Sequence, residues 1–161
     1  MKSREHLPVL GVGPIYVGII SGMTALIFYL QKNNKIPVTP FGFQPLFKIL
    51  AGLIILIGVS LWLGAVVHDR VGTKIKENQL VTDGVYAYCR NPIYTAFLFL
   101  NGGLLLLMNN LYIFPFFFLY WLFLSLFMQK TEEKWLKEKF GEEYLMYEKK
   151  VPRCIPKFPR K

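Results

Sequence analysis

The sequence predicts an all-α integral membrane protein with four transmembrane helices, at about 9–30, 47–67, 92–108 and 111–128, then a C-terminal amphipathic helix. Three observations predict it. Hydrophobic residues make up 53% of the 161 residues and aromatic residues 16%, more apolar side chain than one small soluble domain can hide. The uncharged stretches are long enough to cross a bilayer, which takes about 20 helical residues. Charge is also sorted: 19 Lys and Arg against 10 Asp and Glu give a net +9, almost all outside those stretches. Apolar runs and only two cysteines exclude disorder, collagen and a disulfide scaffold.

Leu7 to Gln31 carries no formal charge, and Val9 to Leu30 is nearly all apolar. Lys2 and Arg4 imitate the basic start of a signal peptide, but the apolar stretch is too long and lacks an Ala-x-Ala cleavage site. It reads as a retained span. Lys32, Asn33, Asn34, Lys35, Pro37 and Pro40 then form a solvated turn. The second span is uncharged from Ile49 to Val67, with Lys48 at its edge, where it can snorkel. Between Arg90 and Lys130 lie 39 residues without a charge. As one helix they would reach roughly 58 Å, about twice the hydrocarbon thickness. Two spans therefore follow, broken at the polar doublet Asn109-Asn110 into a tight helical hairpin. Pro115 falls in the first turns of the fourth span, and Gly102-Gly103 lets a neighbouring backbone approach the third.

Four crossings put both termini and the central loop on one side, with sixteen Lys and Arg including Arg70, Lys74, Lys76 and ten from Lys130 onward. The other side has Lys32 and Lys35. The positive-inside rule places the rich side in the cytosol, so topology and anionic lipid, rather than nucleic acid, account for the charge. Cys89 and Cys154 then face a reducing compartment, which argues against a disulfide, and no metal site is expected. His68, beside Asp69 and Arg70, reads as a surface histidine at a helix end. After the fourth span, Trp135, Leu136, Phe140, Tyr144 and Tyr147 make an aromatic stripe on a charged helix, set on the membrane surface or against the central loop. Glu133 and Lys137 form an i,i+4 pair. Prolines at 152, 156 and 159 keep the tail extended.

Channels and transporters usually place ionisable residues inside their spans, and these spans hold none. The informative residues gather at the cytosolic edge, a place that admits a lipophilic substrate from the bilayer and a soluble partner from the cytosol. Asp83-Gly84 signals a turn, and Asn91-Pro92 sets an N-cap residue before a proline at the first helical position. The open backbone N–H groups of that helix start can hold a carboxylate. Leu80-Val81-Thr82-Asp83-Gly84-Val85-Tyr86-Ala87-Tyr88-Cys89-Arg90-Asn91-Pro92-Ile93-Tyr94 resembles the Gly-x-Tyr-x-x-x-Arg-His-Pro-x-Tyr signature of the isoprenylcysteine carboxyl methyltransferases and related phospholipid methyltransferases. The second half of the pattern follows in Glu132-Glu133, Leu136, Phe140-Gly141-Glu142-Glu143-Tyr144, Tyr147 and Val151-Pro152. The resemblance covers about residues 78–156.

The resemblance implies one membrane methyltransferase domain over 1–161, with S-adenosylmethionine bound by about 74–94 and 128–156 and S-adenosylhomocysteine as product. Carried over by position, the cofactor residues are Asn78, Gln79, Leu80, Val81, Tyr86, Asn91, Pro92, Ile93, Tyr94 and Glu132. A sulfonium and an ammonium favour a carboxylate and aromatic faces, which Glu132, Tyr86 and Tyr94 offer. The methionine carboxylate needs donors, which the helix start and Arg90 offer, and backbone groups at 79–81 can read the adenine edge. Glu133 is the candidate base for an amine acceptor, whereas a carboxylate or phenolate needs none. Three positions depart from the family: Asn91 and Asn78 stand where histidines are common, and Met128 replaces an arginine associated with substrate binding. Met128 weighs against recognition of a prenylcysteine carboxylate. The expected acceptor is a lipophilic small molecule in a prokaryotic plasma membrane, reached past Phe97, Phe99, Phe116 to Phe118 and Trp121. The alternatives are a phospholipid amine N-methyltransferase and a non-enzymatic membrane subunit with a degenerate cofactor pocket.

Overall fold

The computed structural model describes residues 12–40, 42–68, 73–74 and 77–157. Residues 9–11 of the expected first span, the side chain of His68, Asp69 and Arg70, and the last tail proline lie outside the described residues. Six α-helices lie wholly within the described residues, in order α1 Gly13–Lys32, α2 Gln44–Leu63, α3 Pro92–Leu107, α4 Pro115–Lys130, α5 Glu132–Phe140 and α6 Glu142–Lys150. A π turn, Gly64–His68, prolongs α2, and a 3₁₀ turn, Gly84–Ala87, lies in the central loop. No strand occurs among the described residues. Helices α1 to α4 each carry a proline at the first or second position, where its missing N–H leaves no bond unmade.

Among the described residues two helices, Gly13–Lys32 and Gln44–Val67, are long and apolar enough to cross a membrane, and α3 is apolar but shorter at 16 residues. Helix α3 lies at the centre. Tyr16, Ile20, Thr24 and Ile27 of α1 recur every three or four residues on its inner face, as do Tyr120, Leu124 and Met128 of α4. On the α2 side the backbones nearly touch: a Cβ on Gly58 would fall 2.9 Å from the Ala96 carbonyl oxygen, and one on Gly103 3.0 Å from that of Ala51. The small-residue seam thus joins α2 to α3, as Gly102-Gly103 leads one to expect. Outward, Leu26 and Phe28 on α1, Ile49 and Leu56 on α2 and Phe118 on α4 stand exposed. An apolar exterior of that extent suits hydrocarbon better than water.

Two sequence expectations need correction. Helix α4 starts at Pro115 and not near residue 111, because Leu111 to Phe114 wraps in turns and the Leu111 N–H donates to the Thr39 carbonyl at 2.8 Å. Buried Asn110 closes that end: its amide donates to Gln31 Oε1 (3.1 Å) and the Pro37 carbonyl (3.0 Å). The amphipathic helix is in fact two, since Gly141 sits at φ 51°, a conformation favouring glycine, and α5 ends there. The aromatic stripe faces the central loop: Tyr144, Tyr147 and Val151 form a buried cluster with Leu80, Leu136 and Phe140 packed on it. Beyond α6 the extended tail runs beside the start of α3. The Arg90 N–H donates to the Pro152 carbonyl (2.9 Å), the Lys157 N–H to that of Tyr88 (3.0 Å), and Thr95 Oγ1 to that of Cys154 (2.8 Å).

Candidate functional site at the junction of the central loop with α5

Tyr94, on the first turn of α3, donates its hydroxyl to Glu132 Oε2 at 2.7 Å. Thirty-eight positions separate them in sequence; the fold joins them because α4 returns the chain to the end of the molecule from which α3 leaves. The Tyr94 ring fills a notch on α1. A Cβ on Gly13 would lie 2.2 Å from Tyr94 Cε1, so only glycine leaves room there. Tyr16, one turn along α1, meets Tyr94 edge-on with centroids 6.5 Å apart. Burial raises the pKa of Glu132 above the usual carboxylate range, Glu133 adds repulsion, and the Tyr94 hydroxyl pulls the other way. The Tyr86 phenol lies within electrostatic reach of Tyr94, and its carbonyl accepts from the Tyr147 hydroxyl at 2.7 Å.

Asn78 to Val81 lie along α5 and α6. Asn78, at φ 55°, accepts from Lys139 Nζ through its side-chain oxygen. The Gln79 N–H donates to the Lys74 carbonyl at 3.0 Å, Leu80 packs on the Tyr144 cluster, and Val81 is buried. At the start of α3, Asn91 and Pro92 are buried and Ile93 is half-buried. Asn91 departs from its expected role, because its side chain does not cap α3. Its amide donates instead to the Arg153 carbonyl at 3.1 Å, so it ties the tail down and leaves the helix start without a side-chain cap.

Glu133 is fully buried and held by two guanidiniums. Arg153 contacts it at 2.7 and 2.9 Å, and Arg90 Nη2 lies 3.4 Å away. Arg90 Nη1 reaches Glu148 at 3.1 Å and the Tyr144 hydroxyl at 3.2 Å. Both Glu133 oxygens are thus engaged by guanidinium N–H groups, where a base for an amine acceptor needs an oxygen open to the substrate. The Arg90 Nε is buried with no hydrogen-bond partner among the described residues. Met128 is fully buried in the same core cluster as Tyr16 and Cys154. Burial pushes the Cys154 thiol up to about 12, so it stays protonated and inert near neutrality.

The fold thus gathers the loop residues 78–94 and Glu132 at one end, with Glu133 and Arg90 in an ion-pair cluster beside them and Met128 in the core beneath. Arg153, Gly13, Tyr16 and the phenols of Tyr144 and Tyr147 complete the arrangement, and sequence reasoning assigned none of them a role there. The last two gave a signal in their aromatic spacing and in their place in the family pattern. For an S-adenosylmethionine ligand the donor set fits. A carboxylate with phenols suits a sulfonium or ammonium, and an orphaned buried guanidinium N–H beside an uncapped helix start suits a carboxylate.

The sequence model of the phospholipid methyltransferase family matches residues 54–143. A protein-S-isoprenylcysteine O-methyltransferase of Schizosaccharomyces pombe is 42% identical over 93 residues, 57% of this chain and 39% of the relative. Its namesake in Mus musculus is 37% identical over 92 residues, 55% of this chain and 31% of the relative. That of Saccharomyces cerevisiae is 40% identical over 84 residues, 52% of this chain and 35% of the relative. The matched stretch thus spans well under half the length of these relatives. No solved structure matches the chain.

Proposed function

The chain belongs to the phospholipid methyltransferase family, and from that premise we propose that it is an integral membrane methyltransferase which moves a methyl group from S-adenosylmethionine to a lipophilic acceptor. The observation that carries the reading is the Tyr94–Glu132 pair, with Tyr86 of the 78–91 loop within electrostatic reach of Tyr94, at the end of the molecule where the chain concentrates its positive charge. The proposed topology has four spans, α1 to α4, with both termini and the central loop in the cytosol. The 39 uncharged residues between Arg90 and Lys130 and the exposed apolar faces of α1, α2 and α4 support it.

When bound, S-adenosylmethionine supplies a methyl group on a sulfonium, open to in-line displacement. Glu132 would face that positive charge, with Tyr94 orienting the carboxylate and Tyr86 adding an aromatic face. Arg90 Nε and the uncapped start of α3 at Asn91, Pro92 and Ile93 would hold the methionine carboxylate. Asn78, Gln79, Leu80 and Val81 would border the adenosine. Alignment and exclusion of water are then the chain's main tasks.

The acceptor read here is an oxygen nucleophile on a lipophilic carrier, for which the carboxylate of an S-prenylated cysteine is the first probe. An oxygen acid is already ionised and needs no base, whereas an amine must lose a proton, and Glu133 is occupied by Arg153 and Arg90. The phospholipid-amine reading keeps its place because the matching family carries that name. Calorimetric titration of the detergent-purified protein with S-adenosylmethionine and S-adenosylhomocysteine tests the cofactor. Saturable binding weakened about tenfold or more in Glu132→Ala is expected, as for loss of one charge-assisted contact. Folded protein that binds neither compound would move the non-enzymatic membrane subunit ahead. Methyl transfer to N-acetyl-S-farnesylcysteine, against transfer to phosphatidylethanolamine vesicles, separates the two acceptor classes.

A further inference from the structure

Helix α1 carries glycines at 13, 18 and 22, and their surroundings differ. A Cβ on Gly18 or Gly22 would have nothing within 4 Å. One on Gly13 would lie 2.2 Å from Cε1 of Tyr94 and 2.8 Å from both its Cζ and its hydroxyl oxygen. The usual reasons for a glycine do not apply there. Among the described glycines only Gly84 and Gly141 have a positive φ, so the backbone at Gly13 does not demand one. Helix formation does not demand one either, because glycine is a poor helix former. At Gly58 and Gly103 a Cβ would strike the backbone of the neighbouring span, which is packing between helices. Around Gly13 the three nearest atoms all belong to one side chain, at the end of Tyr94 that bonds Glu132. Tyr16 of the same helix meets the same ring, and α1 lies outside the residues 54–143 that the family model matches.

We propose that Gly13 is a positioning residue of the cofactor site: by presenting bare backbone where α1 begins, the first span seats the Tyr94 hydroxyl on Glu132 and so sets how tightly S-adenosylmethionine is held. The inference rests on the methyl-transfer reading given above and deepens it, because it brings into the site a helix that the family match does not reach. Carbon atoms in ordinary contact stand roughly 3.5 Å apart, so a methyl group at 13 would move the ring by on the order of 1 Å. That exceeds the roughly 0.5 Å range over which an O–H···O bond holds. The bond to Glu132, now 2.7 Å, would be broken or re-aimed. Glu132 would keep its burial and its repulsion from Glu133 while losing the hydroxyl that pulls its pKa down. The ionised carboxylate that suits a sulfonium then forms only at higher pH.

The test is Gly13→Ala, with Gly18→Ala as the control that makes the same change on the same helix where nothing is near. S-adenosylmethionine and S-adenosylhomocysteine are titrated into each detergent-purified protein over the pH range in which it stays folded, and melting temperatures are recorded. Gly13→Ala is expected to weaken S-adenosylmethionine about threefold to tenfold, the loss of one hydrogen bond to a charged group. The rise of its affinity over that of S-adenosylhomocysteine moves to higher pH. Gly18→Ala stays within about twofold of wild type, with its pH profile unmoved. A second variant, Tyr94→Leu, keeps the side chain as far as Cδ and removes the atoms that a methyl group at 13 would strike. In that background Gly13→Ala is expected to change affinity by less than about twofold and to leave the melting temperature alone. The same comparison decides the case of a Gly13→Ala protein that folds poorly: recovery with Tyr94→Leu supports the inference, and no recovery overturns it. Undiminished binding by Gly13→Ala with an unmoved pH profile, or an equal loss in both backgrounds, would overturn it and leave the cofactor reading standing. If wild type binds neither compound, the methyl-transfer reading falls and takes the inference with it.

Discussion

Burial holds the Glu132 carboxyl above its ordinary 4.5, and this sets a sign for pH dependence at the scale of one residue. A carboxyl whose pKa is higher in the folded than in the unfolded chain favours folding while protonated. That stability is full below the unfolded pKa and is lost as pH rises through the folded one. A cation beside Glu132 reverses the preference, because it favours the ionised form. S-adenosylmethionine, with its sulfonium, is therefore expected to gain affinity relative to the neutral thioether S-adenosylhomocysteine as pH rises through the raised pKa, and to release a proton on binding. Paired titrations over the whole pH range in which the protein stays folded, in buffers of different ionisation enthalpy, read both quantities. Glu132→Gln removes the titration and is expected to flatten the affinity ratio. A ratio already flat in wild type would mean that Glu132 does not face the sulfonium. Tyr94 and Glu133 are the neighbours acting on this carboxyl, and neither reverses the sign, since burial is the largest of the three influences.

Between elements, the Glu133–Arg153 contact fastens the tail to the start of α5, with Ser125 Oγ taking a further guanidinium hydrogen at 2.8 Å. Removing one partner of a buried ion pair leaves the other charge uncompensated, which costs about 3–5 kcal/mol where nothing else faces it. Here Arg90 remains at 3.4 Å, so the loss is smaller. Arg153→Gln is expected to lower the melting temperature and expose Lys157 to trypsin under native conditions, because the Lys157 N–H is bonded to the Tyr88 carbonyl only while the tail is seated. Adding Glu133→Gln to Arg153→Gln restores part of the stability, since the stranded charge is gone, and the double variant falls short of the sum of the singles. A melting temperature unmoved by Arg153→Gln would show that the backbone ladder at Arg90 and Asn91 holds the tail unaided.

Over the whole molecule, helices were legible where one physical constraint acts on every residue of a stretch. Excluding charge over some twenty positions marks α1 and α2, and the 39-residue uncharged run marks α3 and α4 together. Boundaries were less legible: the turns at Leu111 to Phe114 depend on Thr39, seventy-odd residues earlier, and the break at Gly141 depends on one backbone angle. The candidate site was legible only as motif. Tyr94 and Glu132 were named by resemblance, whereas Gly13, Tyr16 and Arg153 act through contacts that no local spacing announces. The topology itself yields the last prediction. If α3 and α4 cross separately, Lys35 and Glu143 lie on opposite faces of the membrane, and both are exposed. Native Cys89 and Cys154 are buried and do not compete for a bulky reagent in the folded protein. In intact cells a membrane-impermeant maleimide is therefore expected to label Lys35→Cys at once and Glu143→Cys only after permeabilisation. Equal labelling of both from outside would put α5 and α6 on the same side as the Asn33–Asn34 turn. The charge asymmetry would then lie opposite to the positive-inside rule, and a cofactor drawn from the cytosol would have no path to Glu132.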